Sequence, residues 1–374
     1  MGSSGRRPDP DGAKPGASCD SSLGHGRLSG TRRHDDDWRR AREPASAARR
    51  RRSPRPPRLT FRVRPFGESD YAAFARIKSL AEGRRLSVDD LQAEDRRWDH
   101  AHYEKVRVVA ADEENAPLGY GEIYHEPTRF EPRRYFLRLG VDGPRRRQGI
   151  GAALWEHLAA ELDERDARVC ALWTGDRTAC QAFIEKRGFA EVIRAYQQVV
   201  ALATAPMPLG AAEARVGDAV AVRTLAELRE RDGDPALVAA YQLHTVARLD
   251  QPTLGPVTAP PFVDWLVYNV EAAAALPDAY FIAVDGDRFV GCSSVRRSSE
   301  DQLEIGITAV LPAYRRRGIA RLLKLRVHDW ARRNGYREIH TSTTGPNVGI
   351  LRLNESLGYV VVGSWGGYEL RFSR

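Results

Sequence analysis

Two short stretches of this sequence combine arginine with small residues in a pattern that can bind phosphate. They read Arg146-x-x-Gly149-x-Gly151 and Arg315-x-x-Gly318-x-Ala320. Small residues let another molecule approach the backbone closely. The free N–H groups of a first helical turn, together with the positive end of the helix dipole, stabilise a bound anion. Each stretch is therefore a candidate phosphate-binding loop.

The elements on either side place each loop between a strand and a helix. Alternating apolar residues from Leu303 to Ala309 predict a strand, and apolar residues at helical spacing from Ile319 to Trp330 predict a helix. The first copy repeats this order at Tyr135–Val141 and Gly149–Asp163. The glycines at 149 and 318 stand 169 positions apart. The sequence therefore predicts two repeats of one structural unit.

Other phosphate loops do not fit either stretch. A P-loop needs Gly-Lys-Ser or Gly-Lys-Thr, and a dinucleotide fingerprint needs a third glycine where Leu154 stands. The remaining pattern, (Arg/Gln)-x-x-Gly-x-(Gly/Ala) after a strand, resembles the acyl-CoA loop of the GNAT N-acetyltransferase superfamily. Residues 59–374 as a whole resemble the tandem GNAT proteins of actinobacteria, the group that includes mycothiol synthase.

The second unit carries further residues of this resemblance. They are Thr308-Ala-Val310, Tyr314 to Ala320, Lys324-Leu325 and the run Thr341-x5-Asn347-x2-Ile350-Leu351-x-Leu353-Asn354-x2-Leu357-Gly358-Tyr359. The resemblance implies an α/β (α+β) fold of two tandem three-layer α/β/α domains, each with a mixed, mostly antiparallel sheet. It also implies that strands 302–310 and 338–343 splay apart and that the pantetheine arm of CoA inserts between them.

Acetyl-CoA is the co-substrate that the resemblance implies, and its binding residues follow from the matched motifs. In the second unit they are Thr308, Ala309, Val310, Arg315, Arg316, Arg317, Gly318, Ile319, Ala320 and Asn347. In the first unit they are Val141, Arg146, Arg147, Gln148, Gly149, Ile150 and Gly151. Loop amides would bind the pyrophosphate, and the amides of Thr308 and Val310 would bond pantetheine or polarise the acetyl carbonyl. Asn347 either bonds the CoA arm or caps a short helix.

Acetyl transfer to an amine needs a base, because an ammonium group cannot attack. Glu304, on the strand before the second loop, is the candidate that the resemblance implies, acting through water. The alternative is a solvent-facing strand residue. The family's usual acid is a tyrosine on the last short helix, but Asn354 stands there, so Tyr368 or Tyr314 is expected to substitute. His328 and His340 are expected to have packing or exposed roles.

The first unit departs further from the family pattern. Tyr135 stands at the position of Glu304, Arg177 at that of Asn347 and Ile184 at that of Asn354. The unit keeps its loop but lacks the candidate base. We therefore expect a CoA-binding or structural first unit and a catalytic second unit.

Length and composition limit the number of domains and the classes of protein to which this chain can belong. The 374 residues suggest two or three domains, and 42% hydrophobic residues suffice to build cores. No apolar run approaches the ~18 residues of a membrane span. The four cysteines show no metal-ligand spacing and no secretory signal precedes them, so we predict no metal and reduced thiols in a cytoplasmic protein.

The formal net charge of +8 lies in residues 1–58, and the rest of the chain is balanced. This Gly-, Pro- and Arg-rich stretch is expected to be a disordered tail. It could contact nucleic acid or acidic lipid, but a solvated tail is the expectation, so nucleic-acid partners are not expected elsewhere. We place one domain at 59–203, a linker at 204–218 and a second domain at 219–374. The oligomeric state is left open.

The leading hypothesis is an acetyl-CoA-dependent N-acetyltransferase that acts on a small-molecule amine, with the second unit catalytic. One alternative is an acyl-CoA-binding sensor or scaffold without turnover. Another is acetylation of a protein target steered by the basic tail. For the acceptor, an antibiotic, an amino-sugar thiol precursor, an amino acid and a polyamine all stay open.

Overall fold

Residues 60–82, 86–176 and 178–373 are described by a computed structural model of the chain. The expected disordered tail and Arg177 lie outside these residues. We call 59–203 and 219–374, as delimited from the sequence, the first and second repeats. The described residues form a mixed sheet of twelve strands with helices on both faces.

The first repeat begins with an antiparallel region and ends with a strand–helix–strand–helix–strand run. Its elements are β1 (Arg62–Pro65), α1 (Tyr71–Glu82), α2 (Val88–Arg96), β2 (Lys105–Ala111), β3 (Pro117–Tyr124), β4 (Arg134–Val141), α3 (Ile150–Glu164), β5 (Val169–Gly175), α4 (Thr178–Glu185) and β6 (Ala190–Ala201). Helix α2 starts where the sequence places a cap, since the Ser87 side chain accepts a hydrogen bond from the Asp90 N–H.

The second repeat follows the same order after an additional helix, α5 (Leu209–Val216). Its elements are β7 (Ala221–Thr224), α6 (Leu225–Asp232), α7 (Asp234–Leu249), α8 (Phe262–Leu266), β8 (Phe281–Asp285), β9 (Arg288–Arg297), β10 (Gln302–Val310), α9 (Ile319–Arg333), β11 (Glu338–Thr344), α10 (Val348–Ser356) and β12 (Val360–Arg371). Helix α9 packs Ile319, Leu322, Leu323 and Val327 into the core beneath the sheet.

The expected linker is partly helical. Residues 209–216 form α5, which packs against α9 and buries Ala212 in the core of the second repeat. The Ala- and Gly-rich composition hid this helix, because alanine is a strong helix former while giving little apolar periodicity.

The sheet is continuous because the two repeats exchange their last strands. Its order is β1-β2-β3-β4-β5-β12-β6-β11-β10-β9-β8-β7. Strand β12, from the second repeat, pairs with β5 of the first, and β6 of the first repeat pairs with β11 of the second. Strands β6 and β12 also pair with each other. Each repeat therefore has its sheet completed by the other.

A buried ion pair accompanies this exchange. Arg134 on β4 donates a 2.7 Å hydrogen bond to Glu369 on β12, and both side chains are buried. Each of the two also has a second ion pair, Arg134 with Glu131 at 3.0 Å and Glu369 with Arg371 at 2.6 Å, so the contact belongs to a four-residue network. This contact therefore fixes β12 in the first repeat.

Candidate active site

The two arginine–glycine loops have nearly the same backbone. Gly149 and Gly318 precede α3 and α9 with φ values of 90° and 93°, and Arg147 and Arg316 have φ values of 65° and 63°. Left-handed residues of this kind turn the chain sharply, at a cost that glycine avoids. The predicted strand–loop–helix junction is therefore present in both repeats.

An arginine closes each loop in the same way. The Nε of Arg146 donates to the Val141 carbonyl at 3.1 Å, and the Nε of Arg315 donates to the Val310 carbonyl at 3.0 Å. These bonds tie each loop to the end of its preceding strand. The first arginine of each motif is thus a structural clamp.

The second loop presents free backbone donors. Gly318 is the residue before α9, and no backbone acceptor is found among the described residues for the N–H groups from Arg316 to Arg321. The side chain of Ile319 is buried, so only its backbone can meet a ligand. Consecutive free amides at a helix start suit a phosphate.

Arg215 adds a cation that sequence reasoning missed. It lies on α5, and a Cβ placed on Gly318 would be 3.0 Å from its Cδ. No motif marks this arginine in the sequence, because its position depends on α5 packing against α9. Arg315, in turn, pairs with Asp250 at 2.6 Å, so the loop is not purely cationic.

A β-bulge opens the sheet beside this loop. Gly306 is an extra residue on β10, between Ile305 and Ile307 in the pairing with β9. A Cβ on Gly306 would come within 2.8 Å of the Ser294 hydroxyl, so this position suits glycine. Because of the bulge, Ile305 packs in the core beneath α9 and Ile307 packs in the core beneath α7.

Strands β10 and β11 separate at the bulge, as the resemblance implied. Their parallel pairing covers only Gln302–Glu304 and Glu338–His340. Beyond Glu304, the edge of β10 that faces β11 has no strand partner. A gap with unpaired backbone groups therefore lies next to the loop.

Two connected cavities occupy this region. The loop cavity, of about 690 Å³, lies beside the amides of residues 315–320. The gap cavity, of about 470 Å³, lies between β10 and β11. Both are lined by Gln251, Pro252, Thr308, Asn347 and Ile350. A continuous cleft thus runs from the candidate phosphate site into the gap between the strands.

The first repeat supplies part of the gap cavity. Arg129, Trp173, Ala195 and Gln197 line it, together with Trp365 from the exchanged β12. None of these residues belongs to a motif, and only the strand exchange brings them to the second repeat. The cavity is therefore a product of both repeats.

Lys324 lies on α9 and lines the gap cavity. Its side chain is 1% exposed, and its Nζ has no hydrogen-bond partner among the described residues. Burial lowers the pKa of this amine to about 7. The other titratable residue in the lining is Arg129, so Lys324 is the lining group that can lose and regain a proton near neutral pH.

The sequence carries a signal for Lys324 beyond its match to the family motif. The lysine falls within the buried stripe of α9, between Leu323 and Leu325, and four residues before the buried His328. A lysine on a helix face that packs into a core is rare without a partner. His328 itself contacts Tyr359 at 3.0 Å, in agreement with the expected packing role.

The structure does not bring the two predicted catalytic side chains together. Glu304 is exposed at the last paired position before the strands separate, opposite His340 and Arg296, and lines neither cavity. Tyr368 is buried in the core of the first repeat and donates to Glu191 at 3.1 Å. The strand exchange carries Tyr368 away from the cleft that we expected it to serve.

The other candidate residues have identifiable surroundings. Tyr314 lines the loop cavity and donates to Asp285 at 2.8 Å, and this bond raises its pKa. Asn347 precedes α10 but makes no capping bond, and its side chain lines both cavities. Asn354 is buried and donates to Gln198 and to Thr343. Asn347, rather than Asn354, therefore faces the cleft.

The corresponding strands of the first repeat also separate, since β4 and β5 pair only over 134–136 and 169–171, but the surroundings of its loop differ. Strand β4 pairs with β3 without a bulge from Phe136 to Val141. A Cβ added to Gly151 would lie 3.4 Å from the Phe183 ring and 3.7 Å from Leu139, so both side chains pack at the start of α3. The guanidinium carbon of Arg187 lies 3.5 Å from the centroid of the Phe183 ring, so a cation covers this ring.

Comparison with known families decides the identity of this fold. The model of the acetyltransferase (GNAT) family matches residues 74–189 and again residues 243–359. The chain belongs to the GNAT family. It is an N-acetyltransferase of this type, and the predicted tandem arrangement and mixed sheet are confirmed. The likeness to mycothiol synthase stays a prediction.

Solved GNAT structures share the fold of the whole tandem. A GCN5-related N-acetyltransferase from Sphaerobacter thermophilus is 20% identical, with a TM-score of 0.60 over 83% of this chain and 95% of that one. A tandem GNAT protein from the clavulanic acid biosynthesis pathway is 16% identical, with a TM-score of 0.64 over 84% and 99% of the two chains. Among curated protein sequences, none matches this one.

Two general features of this GNAT chain complete the description. Within the described residues, no helix is long and apolar enough to cross a membrane. The three cysteines in this part of the chain, Cys170, Cys180 and Cys292, are free thiols. Burial raises the pKa of the Cys292 thiol to about 12, so it is protonated and unreactive at neutral pH.

Proposed function

We propose that this protein is an acetyl-CoA-dependent N-acetyltransferase that acetylates the amine of a small molecule, and that its second repeat is catalytic. The observation that carries the proposal is the continuous cleft, which connects the free amides after Arg315 with the gap between β10 and β11. The first repeat keeps the loop, but its β4 pairs with β3 without a bulge and Phe183 and Leu139 pack against the start of α3. Its role is to complete the sheet and the wall of the gap cavity.

The residues of the loop cavity suit the phosphates of CoA. The N–H groups from Arg316 to Arg321 bind the pyrophosphate, and Arg215 adds charge from α5. Asn347 and the open edge of β10 at Thr308 provide hydrogen-bonding groups along the cleft for the pantetheine amides. Bound acetyl-CoA supplies the acetyl group as a thioester.

The first proton transfer is assigned to Glu304, which lies where strands β10 and β11 separate. Glu304 accepts the proton of the acceptor ammonium through water, because it lies at the last paired position of β10 but outside the cavity lining. The free amine then attacks the thioester carbonyl, and the open backbone edge at Thr308 and Val310 polarises that carbonyl. The new C–N bond forms as the C–S bond breaks, and the attacking nitrogen, which is positively charged after attack, releases its second proton to water to give the neutral amide.

Lys324 gives the proton that the departing thiolate needs. The position of the family's tyrosine holds Asn354, which donates to Gln198, and the expected substitute Tyr368 lies in the core of the first repeat. Lys324 lines the gap cavity with no hydrogen-bond partner among the described residues, and its Nζ lies 4.9 Å from the centroid of the Tyr359 ring. Its lowered pKa of about 7 suits proton donation near neutral pH. Solvent then reprotonates the amine.

The decisive experiment measures thiol release from acetyl-CoA with a panel of amines, alongside calorimetry of CoA binding. The proposal expects amine-dependent thiol release and a CoA affinity that depends on the second loop. An acyl-CoA-binding sensor would bind CoA and release no thiol with any amine. If the protein neither bound CoA nor released thiol, the proposal that this cleft is an active site would be wrong.

A further inference from the structure

The gap cavity carries positive charge without a carboxylate to balance it. Its charged lining residues are Arg129 and Lys324, and its lining within the described residues includes no Asp or Glu. The other polar side chains of the lining are uncharged amides and hydroxyls, among them Gln197, Thr308 and Asn347. A site built to receive a simple cation would carry the opposite charge.

The guanidinium of Arg129 is fixed through one nitrogen, and its two terminal nitrogens are available to a ligand. It ends a turn of the first repeat, Pro127–Arg129, and its Nε donates to the Thr253 hydroxyl at 2.9 Å. The two terminal nitrogens have no partner among the described residues. A guanidinium fixed at Nε presents its remaining N–H groups in the geometry that a carboxylate accepts.

A second arginine increases the surplus of charge near this fork. Arg248 on α7 has a buried Nε without a partner, and its pKa is lowered by burial and by the charge of Arg129. Glu126 offsets part of this charge, and its carboxylate also accepts from the Thr128 hydroxyl. Arg129 and Arg248 together therefore leave the neighbourhood cationic on the side of the first repeat.

From this charge distribution, and resting on the proposed function, we infer that the acetyl acceptor is an amine that also carries a carboxylate, and that Arg129 binds this carboxylate. An acceptor enters as an ammonium ion, and a cavity lined by cations repels an ammonium ion that brings no anion of its own. An amino acid brings that anion. Polyamines and other polycationic amines bring only further positive charge and are poor acceptors.

The test compares matched acceptors in the thiol-release assay with acetyl-CoA. Each amino acid is paired with the amine left after loss of its carboxylate, such as lysine with cadaverine and phenylalanine with phenethylamine, and spermidine is included. The inference expects kcat/KM for the preferred amino acid to exceed that of its decarboxylated partner by about 10- to 100-fold, the range for a hydrogen bond between charged groups. Equal turnover of both partners, or preference for spermidine, overturns it.

Variants assign the effect to Arg129. In Arg129→Met the KM for the preferred amino acid should rise by about 10- to 100-fold while the affinity for CoA stays unchanged. Arg129→Lys keeps the charge but loses the fork, so an intermediate KM is expected. Arg133→Met is the matched control, because Arg133 lies in the same segment but pairs with Asp166 on the surface at 3.0 Å. A KM that Arg129→Met leaves unchanged overturns the assignment.

A binding measurement separates this inference from the proposed function. Calorimetry of the CoA-saturated protein with N-acetyl amino acids and with their uncharged carboxamides needs no turnover. Tighter binding of the carboxylates, lost in Arg129→Met, supports the inference even if no acceptor in the panel is acetylated. Equal or absent binding of both series overturns it, whereas failure of the protein to bind CoA overturns the proposed function.

Discussion

Asn354 on α10 donates a 2.8 Å hydrogen bond to Gln198 on β6, and this buried contact joins the two repeats. The corresponding positions, 170 residues away in each direction, are Ile184 and Tyr368, which pack in the core of the first repeat. The same pair of sites is thus polar in one repeat and apolar in the other. In both cases a strand from the opposite repeat completes the core.

Truncation tests this exchange of strands. A fragment of residues 219–374 lacks β6, so β11 and β12 both lose a pairing neighbour, and we expect it to aggregate or to associate through exposed strand edges. A fragment of residues 190–374 keeps β6 between them and should be more soluble and more monomeric. Size-exclusion chromatography and circular dichroism compare the two. Equal behaviour would contradict the importance of β6 for the second repeat.

Paired glycine substitutions test which loop binds acetyl-CoA. Gly318→Ala and Gly149→Ala place a side chain in nearly the same left-handed backbone, with a similar strain of about 1–2 kcal/mol. Only at Gly318 would the new Cβ crowd Arg215, whereas nothing lies within 4 Å at Gly149. We expect Gly318→Ala to raise the KM for acetyl-CoA about tenfold and Gly149→Ala to leave it unchanged. An equal effect in the two variants would show that the first loop also takes part.

Replacement of Lys324 separates catalysis from stability. The pKa of this lysine falls from 10.5 to about 7 on folding, so between these pH values the unfolded chain binds more protons and stability rises with pH. Lys324→Met removes the buried amine, and we expect a higher midpoint of thermal unfolding at pH 7 and a smaller gain near pH 10. Thermal melts across this pH window check the sign.

The same variant should lose activity although it is more stable. We expect kcat to fall by ~10²-fold or more, because the thiolate loses its proton donor. The decline of kcat above pH 7 expected for the unsubstituted enzyme should also disappear. A stabilised variant with unchanged kcat and an unchanged pH profile would mean that Lys324 only packs.

The role of Glu304 is tested against a neighbouring carboxylate. Glu304→Gln should lower kcat by ~10²-fold near pH 7 with CoA binding unchanged, and its deficit relative to the unsubstituted enzyme at the same pH should shrink as pH rises, because more acceptor is already the free amine. Glu338→Gln is the control, since Glu338 lies on β11 and accepts a hydrogen bond from Gln302. If Glu338→Gln lost activity and Glu304→Gln did not, the catalytic base would be Glu338 on β11 rather than Glu304.

Local features of the fold were readable from the sequence because they depend on neighbouring residues. Helices α3 and α9 occupy the predicted stretches, and the loop glycines at 149 and 318 have the predicted position before a helix. Spacing of apolar residues and the chemistry of glycine suffice for such predictions. The sequence indicates α6 only weakly, because this charged helix buries only Leu225 and Leu228 and shows little apolar periodicity.

The candidate site could be predicted only in part, because some of its residues are brought together by contacts between distant segments. The loop amides, Thr308 and Asn347 came from motifs, and they do line the cleft. Arg129 and Arg215 belong to no motif, and Tyr368 was expected in the wrong repeat. Each of these depends on contacts between segments that are far apart in the chain.

By itself the sequence determined the repeated strand–loop–helix unit and the position of its phosphate-binding loop, because both follow from residue type and spacing over a few turns. Only the tertiary structure decided that β6 and β12 change places and that the first repeat forms a wall of the second repeat's cavity. Strand pairing is selected by burial and hydrogen bonding across the whole sheet. No local pattern distinguishes a strand that pairs within its own repeat from one that pairs with the other.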